Sequence, residues 1–241
     1  MIGARVTQTD RRIPLRNCAN LRDVGGYPAG DGRTTRWRTL LRSGSLHFAG
    51  QAAAQTLADY GVRTVLDLRT WDEADRAPSP PLAGAAVTRR ISLIAEDARG
   101  LDPRLDAVYR YLIDERGDAI GQVVRLLAAP DALPALVHCS AGKDRTGIVV
   151  GLVLSAVGVP DEIVAEDYGL SAVYLGPRTP QIISQIRASV GLSDAGDPAA
   201  QDYGDLLDSP AGLFRGVLDW TRAAGGTVAG YLQGHGVTAA S

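Results

Sequence analysis

Short hydrophobic runs and longer amphipathic segments alternate along the chain, and this alternation predicts the secondary structure. The runs that predict strands are 37–42, 62–68, 87–93 and Ala135–His138. The segments that predict helices are 51–60, 106–127 with a break near Gly117, 146–157, 161–189, 213–222 and 227–233. Alternating strands and helices are typical of an α/β fold with a mainly parallel central sheet flanked by helices.

The pattern gives no boundary that would divide the chain into domains. Neither a Ser/Gly-rich linker nor a long run of like charge interrupts its 241 residues. Residues 191–204 are small and polar and predict a loop, and the helical segment before them predicts a lid or insertion near 161–205. We therefore expect one domain over residues 1–241 with inserted, lid-like helices.

Charge and cysteine content exclude several classes of protein. The net charge of −2 gives no general attraction for nucleic acids or anionic membranes. No apolar stretch approaches the roughly 18 residues that a membrane-spanning helix needs. Two cysteines, Cys18 and Cys139, argue against a disulfide scaffold, and the N-terminus lacks the apolar core of a signal peptide. We expect a cytoplasmic protein, and the oligomeric state stays open.

Residues 138–147, with the sequence HCSAGKDRTG, carry the chemistry. They join a predicted strand to a predicted helix, and such a loop directs backbone N–H groups into a concavity that suits a phosphate group. The same field stabilises the thiolate of Cys139 as a nucleophile. Arg145 is placed to grip two phosphate oxygens. The expected phosphate-binding residues are Ser140, Ala141, Gly142, Lys143, Asp144, Arg145 and Thr146.

Two motifs resemble those of the cysteine-dependent tyrosine phosphatases, in particular their bacterial atypical branch. HCSAGKDRTG contains the Cys-x5-Arg-Thr signature, and residues 20–26, NLRDVGG, resemble the N-terminal element of that branch. The resemblance implies the cysteine phosphatase fold, a helical lid and hydrolysis of phosphotyrosine through a cysteinyl-phosphate. It further implies phosphoserine, phosphothreonine and phosphoinositides as substrates. Because members of the branch can leave the cell without a recognisable signal peptide, the resemblance implies export of that kind as the alternative to a cytoplasmic location.

The identity of the general acid stays open among three aspartates. The leaving oxygen needs a proton, which an aspartate normally supplies. Asp67 ends a predicted strand beside the site, and the resemblance points to it. Asp144 lies in the loop, and Asp97 lies in the interval before the cysteine where many cysteine phosphatases carry this residue. The order of preference is Asp67, Asp144, Asp97.

Arg145 and the loop amides supply positive charge, so we expect neither a metal nor a cofactor.

Lys143 is the only lysine among 25 basic residues, which suggests that the loop needs a compact ammonium group there. The resemblance implies that this lysine favours highly anionic substrates, including phosphoinositides.

Thr146 and the N-terminal motif have two interpretations each. Thr146 either donates its hydroxyl to the leaving sulfur or serves the helix start. Asn20, Arg22 and Asp23 either build a wall of the site, or Arg22 and Asp23 form an ion pair that braces it. His138 is expected to bond to backbone and hold the loop.

Three classes of function fit a cysteine loop of this kind. The first is a phosphomonoesterase that acts on a phosphorylated protein or a phosphoinositide. The second is a catalytically weak phosphate-binding module, and the third is an enzyme that handles sulfur or arsenate. The presence of both Cys139 and Arg145 and the Gly-Lys-Asp-Arg-Thr continuation favour the phosphatase.

Overall fold

A five-stranded sheet lies at the centre of the described part of the protein. The computed structural model describes residues 11–82, 84, 86–98, 101, 102, 104–175 and 210–238. The strands are β1 (Arg22–Asp23), β2 (Leu40–Ser43), β3 (Thr64–Asp67), β4 (Val87–Arg90) and β5 (Ala135–His138). Their order is β1-β2-β5-β3-β4, with β1 antiparallel to β2 and the other pairs parallel. The predicted α/β fold with a mainly parallel sheet is confirmed.

The carboxyl ends of three neighbouring strands meet at one edge of this sheet. β5 lies between β2 and β3, and its last residue, His138, is in register with Ser43 on one side and Asp67 on the other. Ligands of parallel sheets bind beyond this edge. The topology therefore places the segment that begins at Cys139 where a ligand site is expected.

Helices cover both faces of the sheet. They are α1 (Gln51–Asp59), α2 (Trp71–Arg76), α3 (Leu105–Glu115), α4 (Gly117–Ala128), α5 (Asp144–Ala156), α6 (Asp161–Leu175), α7 (Ala211–Gly225) and α8 (Val228–Gly234). Alternate strand residues enter two separate cores, because successive side chains of a strand point to opposite faces. Leu66 and Val137 join the larger core with α5, whereas Val65 and Leu136 join the smaller core.

The structure corrects several element boundaries. The strand predicted over 37–42 begins only at Leu40, since Arg38 has a positive φ of 56° that interrupts extended backbone. The helix predicted over 106–127 is two helices that meet at Arg116, as the expected break at Gly117 indicated. The sequence pattern predicts neither β1 nor α2. Both are short, with two and six residues, so they carry little periodic signal.

The predicted lid falls largely outside the described residues. The described part of α6 runs to Leu175. The rest of the helix predicted to 189, the loop 191–204 and the remainder of the insertion near 161–205 lie outside the described residues. In the described helices, we find none that is long and apolar enough to cross a membrane.

Candidate active site

The loop between β5 and α5 wraps around the sulfur of Cys139. This side chain is buried, with 2 % of its surface exposed, and its Sγ accepts a hydrogen bond from the Gly142 N–H at 3.3 Å. Gly142 has a positive φ of 69°, and a Cβ there would lie 2.3 Å from the carbonyl carbon of Ser43. Glycine is therefore required for the turn that brings this N–H over the sulfur.

The outer side of the same turn is tied to the N-terminal motif and to β2. The Asn20 side-chain amide donates to the carbonyls of Gly142 at 2.8 Å and Ala141 at 3.4 Å, and Arg42 donates to the Gly142 carbonyl at 2.9 Å. The peptide group between Ala141 and Gly142 thus has its carbonyl held on Asn20 while its N–H faces the sulfur. These bonds fix the orientation of loop amides that an anion site needs.

A buried ionic cluster lies behind this turn, centred on Asp167 of α6. Its carboxylate accepts from Arg22 at 3.1 Å, from Arg42 at 2.6 Å and from the Tyr27 hydroxyl at 2.9 Å. Burial opposes the charge of Asp167, but the charges of Arg22 and Arg42 outweigh it and hold its pKa well below the usual range. Burial and the neighbouring Arg22 lower the pKa of Arg42 to about 10. The Asp167 carboxylate is therefore the buried counter-charge of both guanidiniums, and removal of it would leave them uncompensated.

The ion pair that sequence reasoning considered between Arg22 and Asp23 is not present. Consecutive residues of β1 point to opposite faces of the sheet. Arg22 pairs with Asp167, whereas Asp23 accepts from the backbone N–H groups of Gly25 and Arg38, both at 2.7 Å. Of the three motif residues, Asn20 is the one that contacts the loop directly.

Arg145 is held by the carboxylate of Glu73, which the sequence pattern does not predict as a site residue. Its Nη1 and Nη2 atoms lie 2.5 Å and 2.8 Å from the two carboxylate oxygens of Glu73, and the Ser140 hydroxyl donates to the same carboxylate at 2.6 Å. Burial opposes the charge of Glu73, but Arg145 and Ser140 outweigh it and lower its pKa to about 2. Likewise, Glu73 raises the pKa of Arg145 despite burial. The guanidinium is thus fixed in place beside the loop.

A local sequence signal for Glu73 existed. Thr70 caps α2: its hydroxyl accepts from the Glu73 N–H at 3.2 Å, and the Glu73 carboxylate accepts from the Thr70 N–H at 2.9 Å. This is the capping box, whose Thr-x-x-Glu pattern is visible in the sequence. The pattern predicts the helix start, but the contact with Arg145, 72 residues later, is tertiary.

Asp67, the first choice for the general acid, lies in a buried ion pair. Its carboxylate accepts from Arg69 Nε at 2.9 Å, from Arg69 Nη2 at 2.8 Å and from the Arg69 backbone N–H at 3.1 Å. Burial opposes its charge, but His138 and Arg69 outweigh it and hold the pKa of Asp67 well below the usual range. Both of its oxygens are bonded to Arg69 and 1 % of its side chain is exposed, so neither oxygen is free to present a proton to a leaving group. The geometry therefore favours a different donor.

Asp144 is more accessible than Asp67. It is the first residue of α5, and 27 % of its side chain is exposed. Its Oδ1 accepts from the Tyr109 hydroxyl at 2.5 Å and lies 3.3 Å from the Lys143 ammonium. Lys143 itself is fully buried against this carboxylate. The expected preference of Lys143 for highly anionic substrates stays a prediction.

The remaining predicted residues are placed as follows. Asp97 is exposed in the turn that follows β4. The Thr146 hydroxyl is buried and has no hydrogen-bond partner in the described part of the chain. His138 contacts backbone, as predicted, with Nδ1 3.3 Å from the Cys139 carbonyl oxygen. Cys18 belongs to the smaller core and Cys139 to the larger one, on opposite faces of the sheet, and burial raises the pKa of the Cys18 thiol to about 12.

The fold and the loop define the class of the cysteine-dependent phosphatases. A comparison with known proteins agrees with this class. The model of the tyrosine phosphatase family matches residues 13–241. The chain belongs to this family, and it is a hydrolase of the protein-tyrosine-phosphatase type that acts on phosphorylated substrates.

Two curated relatives and one solved structure are similar to the chain. A tyrosine-protein phosphatase of Nostoc commune is 31% identical over 83% of this chain and 70% of its own length. The triple specificity protein phosphatase PtpB of Mycobacterium tuberculosis is 29% identical over 92% of this chain and 93% of its own length. The crystal structure of P. aeruginosa TpbA has a TM-score of 0.39 and 17% identity, covering 65% of this chain and 89% of that chain.

Proposed function

We propose that the protein hydrolyses phosphotyrosine through a cysteinyl-phosphate formed on Cys139. The observation that supports this most directly is the buried Cys139 sulfur, which accepts a loop N–H and is followed by an arginine held rigidly at the end of the same loop. A thiolate surrounded by amide donors is an activated nucleophile, and the same donors stabilise the charge of the transferring phosphoryl group. Residues Ser140 to Thr146 bind that group.

The reaction proceeds in two displacements at phosphorus. In the first, the Cys139 thiolate forms the S–P bond while the bond from phosphorus to the leaving oxygen breaks, and Asp144 gives its proton to that oxygen. In the second, a water oxygen attacks phosphorus, Asp144 takes a proton from the water, and the S–P bond breaks. Inorganic phosphate leaves, and the thiolate is regenerated. Arg145 steadies the equatorial oxygens in both steps.

The buried Thr146 hydroxyl suits a role at the sulfur. Because it has no partner among the described residues, it is available to donate to the thiolate when the S–P bond breaks.

Asp67 is assigned a structural role through its pair with Arg69 at the end of β3. The same guanidinium also donates to the backbone carbonyl of Ala77 and to the hydroxyl of Ser79.

The proposal extends to phosphoserine, phosphothreonine and phosphoinositides as further substrates. All are phosphomonoesters, so the loop can bind their phosphate in the same way, and triple specificity is in the name of the relative PtpB. Lys143 is the residue of this loop that could distinguish more anionic substrates.

Turnover of an aryl phosphate by matched cysteine variants tests the proposal. Cys139→Ser should lose at least about 1,000-fold in kcat, because a hydroxyl is a far weaker nucleophile than a thiolate. Cys18→Ser removes the other cysteine, from the opposite face of the sheet, and should keep the wild-type rate. Comparable activity of Cys139→Ser and wild type would refute the assignment of the nucleophile.

A further inference from the structure

The proposed general acid is tied to a pair of buried tyrosines. The Tyr109 hydroxyl, on α3, lies 2.5 Å from Asp144 Oδ1 and 2.5 Å from the Tyr168 hydroxyl, on α6. Both tyrosines are buried, with 0 % and 1 % of their surface exposed. Their rings meet edge to face with centroids 6.2 Å apart, so packing fixes the hydroxyl positions.

The direction of these hydrogen bonds follows from the number of protons. A neutral tyrosine has one hydroxyl proton to donate. The ionised Asp144 carboxylate can only accept, so Tyr109 donates to it and accepts in turn from Tyr168. Burial and the nearby charge of Asp144 raise the pKa of Tyr109 well above its usual value, which keeps this proton on the tyrosine.

The two carboxylate oxygens of Asp144 consequently have different surroundings. Oδ1 accepts from Tyr109 and faces the ammonium of Lys143. Oδ2 takes part in neither of these contacts. A proton on Asp144 is therefore best carried by Oδ2, because a proton on Oδ1 would compete with two donors already there.

We propose that Tyr109 is a positioning residue for the general acid: its hydroxyl holds Asp144 Oδ1 and so presents a protonated Oδ2 to the leaving group. This inference rests on the proposed function. It differs from a purely structural role for the tyrosines because it predicts an effect that depends on the leaving group. Tyr168 does not contact Asp144 in this chain of hydrogen bonds; its hydroxyl bonds to that of Tyr109 and orients it.

The test compares Tyr109→Phe with Tyr168→Phe on two substrates. Phenyl phosphate has a poor leaving group that needs the proton, whereas 2,4-dinitrophenyl phosphate has a good one that does not. Tyr109→Phe should reduce kcat/KM for phenyl phosphate roughly tenfold, the loss typical of one hydrogen bond, and change that for the dinitrophenyl ester less than about twofold. Tyr168→Phe removes a hydroxyl from the same pair but leaves the bond to Asp144, so its selective loss should be smaller.

A double-variant cycle separates this inference from the proposed function. In an Asp144→Asn background, Tyr109→Phe should cause no further selective loss with phenyl phosphate, since the proton donor is already absent. Thermal melting of each variant identifies any general loss of folding. Equal losses on both substrates, or a further selective loss in the Asp144→Asn background, would overturn the role of Tyr109. Neither outcome affects the role of Cys139, which the cysteine variants test independently.

Discussion

At the scale of single residues, four acidic side chains near the sheet edge differ in what holds them. Three are buried and paired with arginine, and one is partly exposed with a single oxygen held by Tyr109. The paired residues are Glu73, Asp67 and Asp167, and the partly exposed one is Asp144. Arginines occupy the oxygens of the first three, so their contribution is to position arginines and strands, whereas the proton transfer that we propose uses the fourth.

The Glu73 contact leads to a prediction about phosphate binding. Glu73→Gln should lower kcat/KM for an aryl phosphate about tenfold and weaken inhibition by inorganic phosphate, because Arg145 loses its bidentate anchor and must be ordered during binding. Steady-state kinetics with phosphate as a competitive inhibitor measures both effects. Asp72→Asn is the matched control, since this exposed neighbour on α2 pairs with Arg76. Unchanged or tighter phosphate inhibition in Glu73→Gln would show that Glu73 competes with phosphate rather than positioning Arg145.

At the scale of elements, α6 is attached to the loop 138–147 through the buried carboxylate of Asp167. Asp167 orients Arg42, and Arg42 holds the Gly142 carbonyl. α6 also meets the loop directly, because Leu175 packs against Ala141. The helix therefore supports the turn over Cys139 from the side opposite the sulfur.

Removal of the Asp167 charge should affect both folding and catalysis. Asp167→Asn leaves two buried guanidiniums without a counter-charge, and we expect a loss of about 3–5 kcal/mol in the free energy of unfolding. Activity should fall as well, because Arg42 is released from the Gly142 carbonyl. Urea unfolding and aryl phosphate kinetics at neutral pH measure the two effects. Glu166→Gln, at the exposed neighbouring position, should change neither; a stable, fully active Asp167→Asn would contradict this role of the cluster.

The success of sequence prediction also differed between elements. β5, the loop and α5 were predicted because an apolar run, a glycine-containing loop and another apolar run follow one another directly, so the information is local. Arg22 and Asp167 were not matched, since 145 residues separate them and neither has a local signal. Asp67 was preferred as the acid on its position at a strand end, but its ion pair with Arg69 depends on a side-chain orientation that spacing does not reveal.

At the scale of the whole molecule, the buried carboxylates link stability to pH. Asp67, Glu73 and Asp167 have pKa values below those of ordinary carboxyls, so the unfolded chain binds protons more readily than the folded one. Their contribution to stability is complete above the unfolded pKa values, near pH 4, and is lost as pH falls towards the folded values.

Acid unfolding tests this link. The free energy of unfolding from urea titrations should change little between about pH 7 and 5 on account of these groups, and then fall steeply below about pH 4. Asp167→Asn should show a shallower fall over the same range, since one of the linked carboxyls is absent. An equal slope for Asp167→Asn and wild type would show that Asp167 does not contribute to the acid sensitivity.

The central claim is that Cys139 carries the phosphoryl group during turnover, and trapping of the phosphoenzyme tests it most directly. Wild-type protein is mixed with an excess of an aryl phosphate, quenched in acid within the first turnover, digested and analysed by mass spectrometry. We predict a phosphorylated peptide that contains Cys139, bonded through sulfur and absent from Cys139→Ser. A phosphoryl group found on Cys18 or on another side chain, with the Cys139 peptide unmodified while turnover proceeds, would contradict the mechanism.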